Sequence, residues 1–464
     1  MSLEKYEVPQ PQTPISKKRS QQLVDIFIDN TEEIDRLWRA SSNPYYGWRE
    51  FEMRYRSRVL HLDIEEQIAP HEAWYLIKMR RRFSDRTKAP FADTSGRSFY
   101  WSKPSIYESY MRSFDMELGG NTESSLLGGY ADNRERFLRQ SLIEESIASS
   151  QLEGATTSRE VAKKMIAENR NPRNKSEWMI LNNFKTIQKM EEETSNLPLS
   201  KDILLELQRM LTENTFDEKD KHKAGRWRKD SDNIAVIVSE GQEEYISHIP
   251  PKEDDIPSLL DSLILYANSP TETEDGKFTH PIIKAIILHF WFAYIHPFAD
   301  GNGRMARMIF YWYLMKSDYW LIKYVPISTV IKSSRTQYSN AFVFSEQYDN
   351  DLTYFISFNF NKLKQALEMF NNHIERVKKK SQSIDKLLDD KDLNERQKQV
   401  LHYLGGNKGD TITARKHATF QKVSWLTASL DLKGLLEKKY INAEKRGREV
   451  FYSASEPFLS LFNR

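Results

Sequence analysis

Apolar positions recur at helical spacing along most of the chain. From about Gln21 to Arg82, Leu23, Ile26, Phe27, Ile34 and Leu37, and then Phe51, Tyr55, Val59 and Leu60, fall at the three- and four-residue intervals that build one stripe on a helix. An Asn43-Pro44 break separates the two sets. Residues 84–130 are richer in Ser, Gly, Tyr and Pro and read as an irregular connection. A helix is then predicted from near Asn133 to Leu152, with Gly154 as its stop. Helical patterns resume at Glu160 to Glu168, Ser176 to Met190, Ser200 to Leu211 and Ile256 to Ala267.

One interval has a different period. Asn233 to Pro251 carries a β-branched run, a polar Glu-Gly-Gln turn, a second short run and a Pro-Pro stop, the pattern of a hairpin. Two strands alone are barely stable, so a lone hairpin in a helical protein suits a flap. Residues 1–18 lack apolar periodicity and read as an extended arm. Lys378 to Asp392 is so densely charged that it reads as a linker. The expected organisation is a mainly α protein: a helical N-terminal extension over 1–130, a helical core over 131–375, a linker over 376–392 and a C-terminal module over 393–464.

Composition narrows the classes. A chain of 464 residues with 39% apolar and 29% charged positions has ample core and is neither disordered nor collagen-like. Lys+Arg 68 against Asp+Glu 66 leaves a net charge of +2, so any basic surface is local. The absence of Cys excludes a disulfide scaffold, a thiolate zinc site and a thiol nucleophile. The first residues contain no apolar h-region, and the apolar run Ala285 to Phe298 holds His289 and His296 and is shorter than the ~20 residues a bilayer span needs. No membrane association is expected, and the cytoplasm is the expected location.

Candidate chemistry concentrates between two apolar runs, in Tyr294-Ile-His296-Pro-Phe298-Ala-Asp300-Gly301-Asn302-Gly303-Arg304-Met-Ala-Arg307. Gly301 and Gly303 let several backbone N–H groups converge on an anion, at the start of a helix whose N-terminal partial charge favours phosphate. Arg304 and Arg307, three apart, share a helix face and can each fork onto phosphate oxygens. Asp300 offers the single hard oxygen that Mg²⁺ often takes from protein when phosphates complete its shell. His296 is the group there able to take a proton near neutral pH. The set points to phosphoryl or nucleotidyl transfer.

This stretch resembles the defining motif of the Fic family of nucleotidyltransferases, His-Pro-Phe-x-(Asp/Glu)-Gly-Asn-Gly-Arg-x-x-Arg, and meets every defined position. The resemblance implies a Fic-type helical core with a β-hairpin flap, over roughly residues 130–370, that transfers AMP from ATP to a Ser, Thr or Tyr hydroxyl of a target protein, self-modification included. It implies His296 as the base, Phe298 as the anchor of the loop and Asp300 on Mg²⁺. It further implies Asn302 with the Gly301 and Gly303 backbone at the α-phosphate, Arg304 at the β-phosphate and Arg307 at the γ-phosphate. Gly225-Arg-Trp-Arg228 and the hairpin after it match a Gly-x-(Trp/Phe)-Arg segment and a target-holding flap of similar proteins. Tyr338 to Phe355 resembles the region near the adenine, with Ser345 where many relatives have Asn.

Ser149-Ser-Gln-Leu-Glu153-Gly154 is similar to the inhibitory motif (Ser/Thr)-x-x-x-Glu-(Gly/Asn) of one class of Fic proteins, carried on a helix about 134–154. The resemblance implies that Glu153 pairs with Arg307 in the γ-phosphate region and that Ser149 steadies the helix. The same Glu153 supports the alternative of a de-AMPylating hydrolase. Residues 393–464 carry thirteen Lys/Arg against seven Asp/Glu. A helix at Leu393 to Leu404, a second at Thr411 to Ala418, a third N-capped by Ser424, and two strands within Tyr440 to Tyr452 around a basic turn resemble a winged helix-turn-helix. Lys445, Arg446 and Arg448 would then lie near DNA phosphates. A protein-docking or homodimerising wing is the other reading, and a nucleotide-sensing DNA-binding regulator is the rival from outside the enzymes.

Overall fold

The computed structural model describes residues 4–41, 46–84, 86–104, 106–119, 131–194, 197–240, 243–274, 276–389, 393–406, 411–446 and 449–460. The expected Asn43-Pro44 break, the Gly241-Gln242 turn and Arg448 lie outside them. The chain divides into two compact units, one reaching Leu367 and one from Glu368 onward. None of the helices among the described residues is long and apolar enough to cross a membrane.

The first unit opens with α1 (Lys17–Asp29), α2 (Thr31–Ala40), α3 (Trp48–Arg56) and α4 (Pro70–Phe83). Their apolar stripes close on one core in which Leu23, Ile34, Leu37, Phe51, Leu76 and Ile77 are buried, joined by Val343, Tyr348 and Tyr354 from far along the chain. The extension is therefore packed into the same unit as the residues that follow it. The stretch read as irregular contains a two-stranded antiparallel sheet, β1 (Arg86–Ala92) with β2 (Ser98–Ser102), and a helix, α5 (Ile106–Leu118). The Asp93 carboxylate, accepting from the backbone N–H of Ser95 and Arg97, supplies the turn that sequence periodicity could not signal.

The long helix α6 (Ala131–Leu152) packs against α8 (Lys175–Lys189), with α7 (Arg159–Ala167) between them in sequence. Next come α9 (Lys201–Leu211), the hairpin β3 (Val236–Glu240) with β4 (Glu243–His248), and α10 (Ile256–Asn268). Two helices, α11 (Pro281–Ile295) and α12 (Asn302–Lys316), form the centre of the unit and are apolar on nearly every side because they are buried on nearly every side. Helices α13 (Ile327–Lys332), α14 (Arg335–Gln347) and α15 (Thr353–Asp389) complete the unit, α15 running on past its boundary. The charged stretch expected as a linker over 376–392 is thus helical through Asp389. Arg, Lys, Gln and Leu are good helix formers, and no Gly or Pro interrupts them.

The arm at the N-terminus is also placed. Glu4 to Tyr6 runs parallel to β4, with Ile246 donating its N–H to the Glu4 carbonyl and accepting from Tyr6 N–H, both at 2.8 Å. Gln347 fixes the next turn of chain through Val8 N–H and the Tyr6 carbonyl, each at 2.8 Å.

The second unit contains α16 (Glu395–Gly406), β5 (Thr411–Thr413), α17 (Ala414–Gln421), α18 (Trp425–Glu437), β6 (Ile441–Arg446), β7 (Glu449–Ala454) and α19 (Glu456–Ser460). The strands form one antiparallel sheet in the order β5-β7-β6. Thr411 to Thr413, read as the start of a helix, is an edge strand, and Thr413 caps α17 by accepting from Lys416 N–H. Ser424 caps α18 as expected, accepting from Thr427 N–H.

Candidate active site

The loop from His296 to Gly301 joins α11 to α12, and several distant groups clamp it. His296 ends α11 in the left-handed region at φ 49°, an uncommon conformation for a residue other than Gly. Arg228 holds that turn: its Nε donates to the His296 carbonyl at 2.7 Å, its Nη2 donates to the Pro251 carbonyl, and its backbone N–H donates to the Pro297 carbonyl at 2.9 Å. Trp227 stacks on Phe298 with centroids 4.8 Å apart, and Phe298 is fully buried, a burial that contributes about 2–3 kcal/mol to holding the loop in the core. Gln208 reaches from α9 to the Asp300 carbonyl at 3.2 Å and accepts from Gly225 N–H at 2.6 Å. The Gly-Arg-Trp-Arg segment thus acts as a buckle on the loop.

The loop residues then divide by task. The Asn302 carboxamide is spent on the loop itself, accepting from Phe298 N–H at 3.0 Å and donating to the Phe298 carbonyl at 2.8 Å. Its side chain therefore shapes the turn, which leaves anion contact at this position to the backbone. Gly301 has φ 92°, and its N–H donates to Asp300 Oδ1 at 2.6 Å. Asp300 Oδ1 also lies 3.4 Å from Arg304 Nη2, while Oδ2 makes no hydrogen bond among the described residues. A partly exposed carboxylate with one oxygen open fits a cation that arrives with phosphates. Arg304 is buried, with Nη1 donating to the Leu211 carbonyl at 2.9 Å and Nε without a partner. A buried, partly unsatisfied guanidinium is costly in an empty site and favourable with an anion beside it.

His296 sits in a setting that keeps it neutral. Its Nδ1 lies 3.2 Å from the Ala293 carbonyl, which can only accept, so the proton is on Nδ1 and Nε2 keeps its lone pair. Burial, followed by the nearby charge of His248, pulls its pKa down to about 3. His248, on β4, donates from Nδ1 to Glu346 Oε2 at 2.8 Å and from Nε2 to the Tyr294 carbonyl at 2.7 Å. Although burial favours the neutral ring, the Glu346 carboxylate raises its pKa. His248 and Glu346 were not legible as site residues, because nothing in their local sequence joins them.

Arg307 is the meeting point of α12 and α6. Its Nε donates to Ser149 Oγ and its Nη2 to the Ser149 carbonyl, both at 2.9 Å, and Nη1 lies 3.0 Å from Glu153 Oε1. Ser149 therefore grips Arg307 directly. The Glu153 carboxylate rests on Gly303, where a Cβ would fall 2.1 Å from Oε1. A carboxylate thus occupies the N-terminal turn of α12, where partial positive charge collects. Glu145, about two turns before Glu153 in α6 and buried, accepts from Tyr311 OH and Ser328 N–H at 2.9 Å and from Ser328 Oγ, which fixes α6 to α12 and α13. Tyr338 OH lies 2.8 Å from His289 Nε2. Burial, with the nearby Arg307 charge, holds the His289 pKa well below the ordinary value, so this ring is neutral beside Tyr338.

A cavity of about 190 Å³ joins these groups. It is lined by Glu153, Gly303 and Arg307, by His296, by Ile237 and His248 of the hairpin, and by Tyr338 and Phe342 of α14. Ser345 is not among its walls: it is buried, and its Oγ accepts from Phe355 N–H at 3.2 Å. Among the described residues no cluster of three or more acidic or imidazole side chains could hold a metal ion by itself.

Residues 198–314 match the sequence model of the Fic/DOC family. A protein adenylyltransferase Fic from Drosophila mojavensis is 28% identical over 123 residues, 26% of this chain and 22% of that protein. One of the same name from Nematostella vectensis is 33% identical over 97 residues, 21% and 19% of the two chains. The chain therefore spans about a fifth of the length of these curated relatives. Among solved structures, a Fic family protein from Desulfovibrio desulfuricans G20 is 21% identical, with a TM-score of 0.44 over 75% of this chain and 96% of that one. A Fic domain containing signaling protein from Bacteroides thetaiotaomicron is 18% identical, with a TM-score of 0.44 over 57% and 98%.

Proposed function

We propose that this chain, which carries a Fic/DOC domain across residues 198–314, is a protein adenylyltransferase held in check by its own helix α6. The observation that carries the reading is the Glu153 carboxylate lying on Gly303, 3.0 Å from Arg307 Nη1, in the cavity that His296 also lines. A carboxylate in that place fills an anion cradle, as a terminal phosphate would.

In the active form, His296 takes the proton of the attacking hydroxyl on Nε2, and the Ala293 carbonyl holds its tautomer. Its depressed pKa keeps it a free base at neutral pH, at the expense of basicity, so catalysis leans on positioning and charge stabilisation. Attack on the α-phosphorus forms the new P–O bond and expels pyrophosphate. The backbone N–H groups at the start of α12, Arg304 and Arg307 are the donors available to the phosphate chain. Asp300 would hold Mg²⁺, which neutralises phosphate charge when bound. The free edge of β3 offers a target segment a strand to pair with, because Glu4 to Tyr6 already occupy the other edge, on β4.

With Glu153→Gly protein and ATP labelled at either the α- or the γ-phosphate, label should enter the protein itself or lysate proteins from the α position only. Label arriving from the γ position would replace AMP transfer by phosphate transfer.

The helix-strand-helix-helix-strand-strand order of residues 395–454 supports the winged-helix reading. Asp431 of α18 is buried against Arg396, Asn394 and His417, while Trp425, Leu426 and Leu430 are each at least 60% exposed. That apolar stripe suits a protein partner better than DNA phosphates.

A further inference from the structure

A second cavity, of about 500 Å³, shares no lining residue with the first. Helix α14 stands between them. Tyr338, Phe342 and Glu346 line the catalytic cavity, whereas Gln337, Asn340 and Phe344, at intervals of three and four, line the other. Helix α15 contributes a matching stripe, Tyr354, Phe358, Asn361, Lys362 and Gln365, and the turn at Gly47 and Trp48 forms another wall. Its size lies within the range of small-molecule sites.

Three features of its chemistry are unexplained by the fold. First, Lys362 is only 7% exposed, and its ammonium has no carboxylate partner among the described residues: it makes a 3.3 Å contact with the neutral Gln365 Oε1 and lies 5.4 Å from the Phe358 ring. Burial alone lowers its pKa, with no acid acting in the opposite direction. Glu50, the acid that lines the cavity, is already paired with Arg54 at 2.9 Å. A buried charge without a counter-charge is costly, and a bound anion removes that cost. Second, the half-buried carboxamides of Asn340 and Asn361 make no hydrogen bond among the described residues, and Gln337 adds a third at the exposed rim of the cavity. Third, the remaining wall is aromatic, with Trp48, Phe344, Tyr354 and Phe358 presenting ring surface.

We propose that this cavity is a second ligand site, separate from the catalytic one, for a small anion carrying a heteroaromatic ring, of the nucleoside-monophosphate kind. The rings stack on the ligand's base, the carboxamides read its polar edge as Asn and Gln read base edges elsewhere, and Lys362 takes the anionic group. Helix α14 lines both cavities, with Tyr338, Phe342 and Glu346 on the face opposite to this one.

AMP titrated calorimetrically into the full-length wild type tests the assignment, because the catalytic cavity and this one would each take AMP. Two AMP sites should appear; Lys362→Met should weaken one of them tenfold or more and leave the other unmoved, Lys362→Arg should restore most of the lost affinity, and inorganic phosphate should bind the Lys362-dependent site at least tenfold more weakly than AMP. The thermal midpoint of Lys362→Met should equal or exceed that of the wild type, since an uncompensated buried charge has been removed. No AMP site sensitive to Lys362→Met, or phosphate binding that site as well as AMP, would overturn the proposal.

Discussion

Replacing Glu153 by Gly should change the site's response to ATP far more than its response to AMP. In the resting structure the Glu153 carboxylate lies 3.0 Å from Arg307 Nη1, with the guanidinium side 3% exposed and the carboxylate side 31% exposed. An ion pair between a buried guanidinium and a carboxylate about one-third exposed falls between the ~1 kcal/mol of a surface pair and the roughly 3–5 kcal/mol lost when a buried pair is broken, and about 2 kcal/mol is apt. If Arg307 takes the terminal phosphate as proposed, ATP must displace that contact, so removing Glu153 should tighten ATP by about 30-fold. AMP has no phosphate to place there and should change less than threefold. Calorimetric titration of both nucleotides with Mg²⁺, into wild type and Glu153→Gly, reads the difference directly. The variant should also lose a few degrees of thermal midpoint without nucleotide and regain them with ATP, because the buried Arg307 loses the carboxylate it is paired with. Equal ATP affinity in the two proteins, or AMP improving as much as ATP, would refute the reasoning.

Three other outcomes follow from the same contacts. Arg228→Ala should lower stability by about 2–4 kcal/mol in a denaturant melt and abolish AMP transfer even in the Glu153→Gly background, since the His296 and Pro251 carbonyls lose their donor in a buried place; activity retained in a destabilised protein would separate the two roles. Gly303→Ala should destabilise the wild type, where the new Cβ meets Glu153 Oε1 at 2.1 Å, yet stabilise Glu153→Gly by about 0.5–1 kcal/mol, the usual gain of Ala over Gly in a helix; additive effects in the double-mutant cycle would contradict the packing. His296 is depressed in the folded state, so the unfolded chain binds more protons between pH 6.5 and about 3, and stability should fall as pH drops through that window. His296→Ala should flatten that part of the profile, and an unchanged slope would show that His296 is not buried as described.

The catalytic loop was legible because its chemistry is contiguous: a base, a carboxylate, two glycines and two phased arginines within twelve residues leave few structural explanations. Glu153 was legible through a short motif, and its meeting with Arg307 needed the helix to be placed first. What stayed hidden depends on pairs remote in sequence. His248 finds Glu346 98 residues away, and Glu145 finds Ser328 183 residues away. Asn302 and Ser345 look like ligand-facing residues in sequence and are spent on backbone in the fold, on Phe298 and Phe355 respectively. The β1–β2 pair was missed because an Asp93 turn, rather than alternation of apolar residues, sets it, and the charged end of α15 was read as a linker although its residues favour helix.

In the function proposed above, His296 carries out transfer and Glu153 restrains it. The most direct measurement compares Glu153→Gly with Glu153→Gly/His296→Ala, using ATP labelled at the α-phosphate and following both nucleotide binding and label on protein. The account predicts equal ATP affinity in the two proteins, with label in the first and none in the second. Label persisting without His296, or no label in Glu153→Gly despite bound ATP, would contradict it.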